Sequence, residues 1–162
     1  MPRGPRLLID NACYHIYTRG NHQQSVFNES KDYETYLLRL KKYKARYGFI
    51  LYGYCLMPNH PHMAGEIEDA KDLSYFMHDL NRSYTAFFNT KYKKVGYLWQ
   101  GRFQSRVITK DQYLIDCINY IELNPVRAGV VNSPIDYLYS SYRERVLGII
   151  DNKEPLLDRL VL

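Results

Sequence analysis

The spacing of apolar positions changes period several times along the chain, and each change marks an element. Ala12 to Thr18 alternates and is rich in aromatic and β-branched residues, which predicts a strand closed by a turn at Arg19-Gly20-Asn21. From Lys31 to Tyr47 the residues Tyr33, Tyr36, Leu37, Leu40 and Tyr43 recur at helical spacing, with lysines and arginines opposite. Phe49 to Met57 predicts a second strand, Pro58-Asn59 a turn, and His60 to Ile67 a third strand paired with the second as a hairpin. Leu73 to Phe88 is helical again, and Arg106 to Ile108 is a short strand. Thr109 with Gln112 reads as a capping box opening a helix that ends near Asn124, because Pro125 follows and Gly129 marks a stop. Beyond Ser133 the pattern predicts one short helix around Ser140 to Leu147, and the last fifteen residues carry no clear signal.

The order β-α-β-β-α-β and then helix is that of an α+β fold. It implies a ferredoxin-like (RRM-like) antiparallel sheet with helices on one face and an added C-terminal helix. A length of 162 residues with no internal repeat fits a single domain over 1–162, with 133–162 as a C-terminal tail packing on it.

Charge and composition narrow the function. Twenty-two Lys plus Arg against 17 Asp plus Glu leave a formal charge of +5, which puts polyanions, nucleic acid first, ahead of acidic substrates and membranes. Cys13, Cys55 and Cys117 are widely spaced and form no C-x-x-C pair, so neither a disulfide framework nor a thiolate metal site is indicated, and a reducing cytoplasm fits. The basic start, Met1 to Arg6, leads into only three apolar residues, and the longest apolar run, Phe49 to Met57, is far short of a membrane span.

Three features carry candidate chemistry. In Met57-Pro58-Asn59-His60-Pro61-His62, two histidines at i and i+2 of a strand share one face and can offer two ring nitrogens to one cation; the same pair also fits two solvated turn histidines. On the late helix, Leu114, Ile118 and Ile121 form the apolar stripe, while Tyr120 and Asn124, four apart, share a neighbouring face. The bland alternative makes Tyr120 a cap on the core edge and Asn124 an ordinary helix-ending residue. The third feature is Leu80 to Lys110, where Arg82, Lys91, Lys93, Lys94, Arg102, Arg106 and Lys110 occur without one Asp or Glu. Tyr84, Phe87, Phe88, Tyr92, Tyr97, Trp99 and Phe103 are interleaved, offering phosphate neutralisation together with platforms for unstacked bases. A solvated helix face plus core aromatics accounts for some of these, but poorly for the crowded loop Tyr97 to Phe103.

Taken together, these segments resemble the HUH single-strand DNA transposases with one catalytic tyrosine, most closely the REP-associated tyrosine transposases. The matching stretches are Tyr14-His15-Ile16 with Arg19-Gly20-Asn21, Tyr54 to His62, Leu98 to Phe103, Tyr120 to Gly129, and Ser140-Ser141-Tyr142, in family order. The resemblance implies that His60 and His62 bind a divalent cation, Mg²⁺ or Mn²⁺, with Asn124 as third ligand, and that Tyr120 is the nucleophile. It implies metal-dependent cleavage and rejoining of single-stranded or hairpin DNA through a 5′-phosphotyrosine intermediate; no general base is assured, and Asp116, one turn before Tyr120, is a candidate. It leaves both monomer and homodimer open. DNA contacts are expected from Arg19, Lys93, Lys94, Trp99, Gln100, Arg102, Phe103 and Arg127, and His15 is expected to touch DNA or to buttress the site. The chain departs from the family at Glu122, where many relatives have His, and at Leu138-Tyr139, where a Trp is common. Two competing readings remain: a non-catalytic RNA- or DNA-binding module that stacks bases on its sheet, and a zinc hydrolase, for which no H-E-x-x-H occurs.

Overall fold

The computed structural model describes residues 8–151 and 154–162, so the basic opening at residues 1–6 lies outside the described residues. Four strands form one antiparallel sheet: β1 (Ala12–Tyr17), β2 (Ile50–Met57), β3 (His60–Ile67) and β4 (Gln104–Ile108), in the spatial order β2-β3-β1-β4. That is the ferredoxin-like order. It arises because α1 (Ser30–Tyr47) and α2 (Ala70–Tyr92) each cross the sheet between strands that do not pair with their immediate predecessors. The predicted strands hold to within two residues, whereas α2 runs longer than the apolar stripe alone indicates.

Both helices start on carboxylates. Glu29 and Asp32 form a reciprocal capping box at α1, and the Asp69 side chain accepts from the Lys71 amide at α2. The helix α3 (Gln112–Glu122) corrects the sequence expectation: its N-cap is Asp111, which accepts from the Tyr113 amide, while Thr109 donates to the Asp111 carboxylate. An ionised carboxylate one step from the first turn is the better match to the free amides and the helix dipole. A short α4 (Asn124–Arg127) follows at once, and α5 (Tyr142–Leu147) lies in the tail.

The sheet is buried on both faces. Strand alternation sends Tyr14, Ile16, Leu56 and Met63 towards α1 and α2, and Cys13, Cys55, Met57 and Ala64 to the other face, where Leu114, Ile118 and Ile121 of α3 cover them. Close approach of α3 depends on Gly53 at a bulge in β2: a Cβ there would stand 2.8 Å from the Ile118 Cγ2.

The tail seals the outer edge of β2. Leu56 donates to the Tyr139 carbonyl, Ser141 to the Tyr54 carbonyl, and Leu51 and Asp158 exchange bonds, so an edge that would otherwise template strand pairing is closed. Tyr139 stacks on Tyr33 with ring centroids 3.8 Å apart. Glu122 is buried; it accepts from Ser141 Oγ at 2.6 Å and from two nitrogens of Arg145 at 2.9 and 2.6 Å, tying α3 to α5. Glu122→Ala removes the acceptor that Arg145 and Ser141 share, leaving Arg145 with Asn119 and Ser141 with the Tyr54 carbonyl. It is expected to cost on the order of 2–3 kcal/mol, the half-exposed arginine end keeping this below the full loss of a buried pair; urea unfolding followed by circular dichroism measures it.

Candidate functional site

Strand pairing builds the site before any helix reaches it. His60 and His62 open β3 on the face that α3 covers, with ring centroids 4.7 Å apart, and β1 lays Tyr17 directly opposite His62. The turn after β1 is drawn against this end of the sheet: Gly20 donates to the Asn59 carbonyl, and a Cβ on Gly20 would meet the Gln24 carbonyl oxygen at 2.3 Å. Only glycine lets the chain double back so tightly beside the histidines.

Each histidine has a second ring partner. His60 Nδ1 is hydrogen bonded to the Asn59 side-chain oxygen, which only accepts, so the proton sits on Nδ1. His62 Nδ1 lies 3.0 Å from His15 Nε2, on the neighbouring strand. Among the described residues no hydrogen bond engages Nε2 of either His60 or His62, so both rings can present that nitrogen to one ligand. This is the usual outer arrangement of metal-binding histidines, in which the far ring nitrogen fixes orientation.

The surroundings keep the rings neutral. Burial, with the charges of His60, His15, Arg19 and Arg127 adding to it, holds His62 down to about 2. Burial and Arg106 lower His15 to about 4, and burial and Arg19 lower His60. The charges that lower these rings include three guanidiniums, Arg19, Arg106 and Arg127, so the surroundings favour an anion. Arg106 reaches the cluster because β4 pairs with β1 and sets Arg106 opposite His15. Neither Asn59 nor Arg106 emerges as a site residue from the sequence, since their placement depends on turn geometry and strand register.

Tyr120 stands on α3 with its ring 55% exposed, outside the core stripe of Leu114, Ile118 and Ile121. Arg127 holds it from the next turn: the guanidinium carbon lies 3.8 Å from the ring centroid, and Nη2 donates to the Tyr120 carbonyl at 2.7 Å. The same Arg127 charge is felt at His62 and at its cross-strand neighbour Cys55. Tyr120 thus stands on the helix that covers the sheet face carrying His60 and His62. Asn124 does not continue α3; it opens α4, half-buried, where that helix packs on β2. Because Leu123 between them keeps right-handed helical angles (φ −84°, ψ −2°), Asn124 nonetheless follows Tyr120 by roughly one turn. Asp116 is exposed and accepts from Gln112.

By donor chemistry, the two imidazoles and the Asn124 amide are groups that a divalent cation accepts. Two neutral imidazoles and an amide oxygen would fill half of an octahedral shell. Among the described residues there is no cluster of three or more His, Cys, Asp or Glu side chains suited to a metal, so the remaining positions would fall to substrate oxygens and water.

The basic loop region is divided by the structure. Lys93 and Lys94 are exposed at the end of α2, and Arg19, Gln100 and Arg102 are exposed around the loop, but Lys91 pairs with Glu29 and Asp32, and Lys110 with Glu66. Trp99 and Phe103, expected as free-standing base platforms, are instead 8% and 7% exposed and belong to the hydrophobic core. Aromatic content in a basic loop does not distinguish a platform from a wall. Tyr97, 88% exposed, is the aromatic face left open there. No helix of the described residues is long and apolar enough to cross a membrane.

Comparison with known proteins agrees with this geometry. A relative from Haemophilus influenzae that carries the name REP-associated tyrosine transposase is 30% identical over 111 residues, which is 62% of this chain and 62% of that protein. The match thus spans less than two thirds of the relative's length. A REP-associated tyrosine transposase solved bound to a REP hairpin superposes with a TM-score of 0.76 at 20% identity, covering 98% of this chain and 95% of that one. A protein from Deinococcus radiodurans described as a transposase gives a TM-score of 0.52 at 16% identity over 75% of this chain and 96% of its own. The sequence profile described as transposase, IS200 like, matches residues 9–124, a stretch that takes in the histidine pair, Tyr120 and Asn124, and the chain belongs to that family.

Proposed function

We propose that the chain is a single-strand DNA transesterase that cleaves and rejoins DNA beside hairpins through a 5′-phosphotyrosine link on Tyr120. The observation that carries the reading is the placement of Tyr120: it is exposed outside the core stripe of α3, the helix that covers the sheet face carrying His60 and His62, with Arg127 against its ring. A relative of this family is named for a tyrosine and another is solved on hairpin DNA, which supports the substrate class.

His60, His62 and Asn124 would hold Mg²⁺ or Mn²⁺, which when bound supplies Lewis-acid polarisation of a phosphate oxygen. Arg19, Arg106 and Arg127 attract and orient the scissile phosphate. The Tyr120 oxygen attacks phosphorus, the bond to the 3′-oxygen breaks, and the phenolic proton passes to water while the departing 3′-oxygen gains one. One phosphoester replaces another, so the 3′-hydroxyl can attack back and rejoin the strand without ATP. An RNA-binding module stacking bases on its sheet is disfavoured because α3 occupies the face such a module needs.

Incubating the protein with a hairpin oligonucleotide carrying a single-stranded flank and Mn²⁺ is expected to give a denaturant-resistant adduct of the protein with the fragment that bears the 5′-phosphate, the other fragment leaving with a 3′-hydroxyl. A protein that binds the oligonucleotide and forms no adduct under any divalent ion refutes the reading. The His15 contact gives a finer expectation. His15→Leu should weaken Mn²⁺ binding about tenfold, as loss of an outer hydrogen-bond partner does, and His15→Gln, which keeps an acceptor facing His62 Nδ1, should restore much of it; titration calorimetry reads both.

A further inference from the structure

Among the described residues no hydrogen bond engages the Tyr120 hydroxyl, and its ring meets Arg127 on one face, so where its oxygen stands depends on how α3 is set. That helix rests on the sheet through a single apolar stripe, Leu114, Ile118 and Ile121. Apolar contact is non-directional and leaves a helix free to roll about its axis. A roll of about 10° swings a side-chain tip roughly 6 Å from the axis by about 1 Å, a displacement that costs a reacting group on the order of 10²-fold in rate. A nucleophile on such a helix needs directional contacts to fix the roll.

The tail supplies them. Arg145 of α5 donates through Nη2 to Asn119 Oδ1 at 2.8 Å and through Nε and Nη2 to the Glu122 carboxylate. One planar guanidinium thus takes the residue before Tyr120 and the residue two beyond it. Ser141 Oγ adds a further bond to Glu122 at 2.6 Å. No basic residue lies in the last turn of α3, and Arg145 brings the cation that the carbonyl end of a helix favours. The tail is itself fixed at the level of the histidines. Ser140 bridges Cys55 on β2, and Cys55 pairs with His62 on β3. Ser141 donates its amide to the Tyr54 carbonyl and accepts the Tyr54 amide on Oγ. Strand β2 therefore carries the histidine strand on one edge and the clamp on α3 on the other.

We propose that Arg145 is the positioning residue for the nucleophile: with Ser141 and Glu122 it fixes the roll of α3 on the β2–β3 pair and so sets the Tyr120 oxygen against the histidines. The proposal rests on the transesterase reading above and adds to it a residue outside the histidine–tyrosine centre. Arg145 acts through α3 alone, so its loss lowers the rate on bound DNA and leaves binding intact. Lysine can reach a Glu122 oxygen but cannot span Glu122 and Asn119 with one rigid fork, so it restores the rate in part.

The test uses the full chain and reads three quantities: the rate of adduct formation at saturating hairpin oligonucleotide with Mn²⁺, the affinity for that oligonucleotide by fluorescence anisotropy, and the melting temperature. Arg145→Met keeps the apolar stem and removes the guanidinium. It is expected to slow adduct formation about 30-fold with affinity within about threefold, and Arg145→Lys to run only about fivefold slow. Lys44→Met is the control for stability. It breaks the 2.6 Å Lys44–Asp158 pair, which holds the same tail to α1 away from α3, so it lowers the melting temperature and should leave the rate of the folded protein within about twofold. Asn119→Ala removes one exposed acceptor, should slow the reaction about fivefold, and keeps the test valid even if Arg145→Met folds poorly; an unchanged rate there is then the overturning result. A rate for folded Arg145→Met within about threefold of the unmodified chain, slowing that Lys44→Met reproduces, or affinity that falls in step with the rate overturns the positioning role, while adduct from the unmodified chain keeps the transesterase reading standing. Absence of adduct from the unmodified chain overturns the two together.

Discussion

Tyr120→Phe is expected to abolish the covalent DNA adduct, with cleavage falling by at least about 10³-fold while hairpin affinity stays within a factor of two or three. The separation of these two effects follows from where Tyr120 sits. Its ring is outside the core stripe and half open to solvent, so removing one oxygen leaves the packing of Leu114, Ile118 and Ile121 untouched. The contact with Arg127 is made to the face of the ring and to the backbone carbonyl, both of which phenylalanine keeps. The variant therefore deletes the nucleophile and little else, and a nucleophile's loss removes the covalent route entirely rather than slowing it by a partial factor. Adduct on a denaturing gel and anisotropy on the same oligonucleotide report the two quantities. Arg127→Ala should behave differently, lowering the rate and the affinity together, because it loosens the ring and removes a charge from the histidine cluster at once.

How much of this was legible in the sequence differs element by element, and the dividing line is the range of the interaction. The sheet order and the two crossing helices could be read because period-2 and period-3.6 patterns are local, and the alternation that puts His60 and His62 on one face is a property of a single strand. Tyr120 could be separated from the core for the same reason, by rotation along one helix. His15 was expected at the site through the family resemblance, but Arg106 could not be brought to the histidine pair from the sequence, because its approach depends on which residue of β1 faces which residue of β4, and register is set by tertiary packing. Glu122, two residues beyond Tyr120, falls on another side of α3 by helical rotation. Its burial against Ser141 and Arg145 was hidden because the partners lie 19 and 23 residues further along the chain. Trp99 and Phe103 show the opposite failure: a local composition rich in aromatics and cations suggested exposure, and the bridge from Trp99 to Gly20 folds the loop inward instead.

His62→Ala is expected to lower cleavage by at least about 10²-fold with Mg²⁺ or Mn²⁺ and to weaken Mn²⁺ binding comparably, the larger loss of the two histidines. His62 is 8% exposed and hydrogen bonded to His15, whereas His60 is half-exposed at the strand start, so His62 is the ring whose position the fold fixes more firmly. The pH dependence of Mn²⁺ binding gives an independent check, and its sign follows from the direction of the shifts. A protonated imidazole cannot donate a lone pair, so protons compete with the cation only below the histidine pKa. A solvated pair near the ordinary value of about 6.5 loses its cation as pH falls through that value. Here burial and the neighbouring arginines hold His62 at about 2 and His60 below its ordinary value, so Mn²⁺ affinity is expected to stay flat from pH 8 through pH 6.5 and to decline only in more acid solution. Folding stability runs in the same direction for His15, whose value of about 4 means that the unfolded chain binds the extra proton between about 6.5 and 4. Acid therefore destabilises the fold across that window, and calorimetric unfolding at each pH separates this loss from the loss of cation. A Mn²⁺ affinity that already halves between pH 7.5 and 6.5 in the folded protein would place the cation on solvated histidines and remove the buried pair from the mechanism.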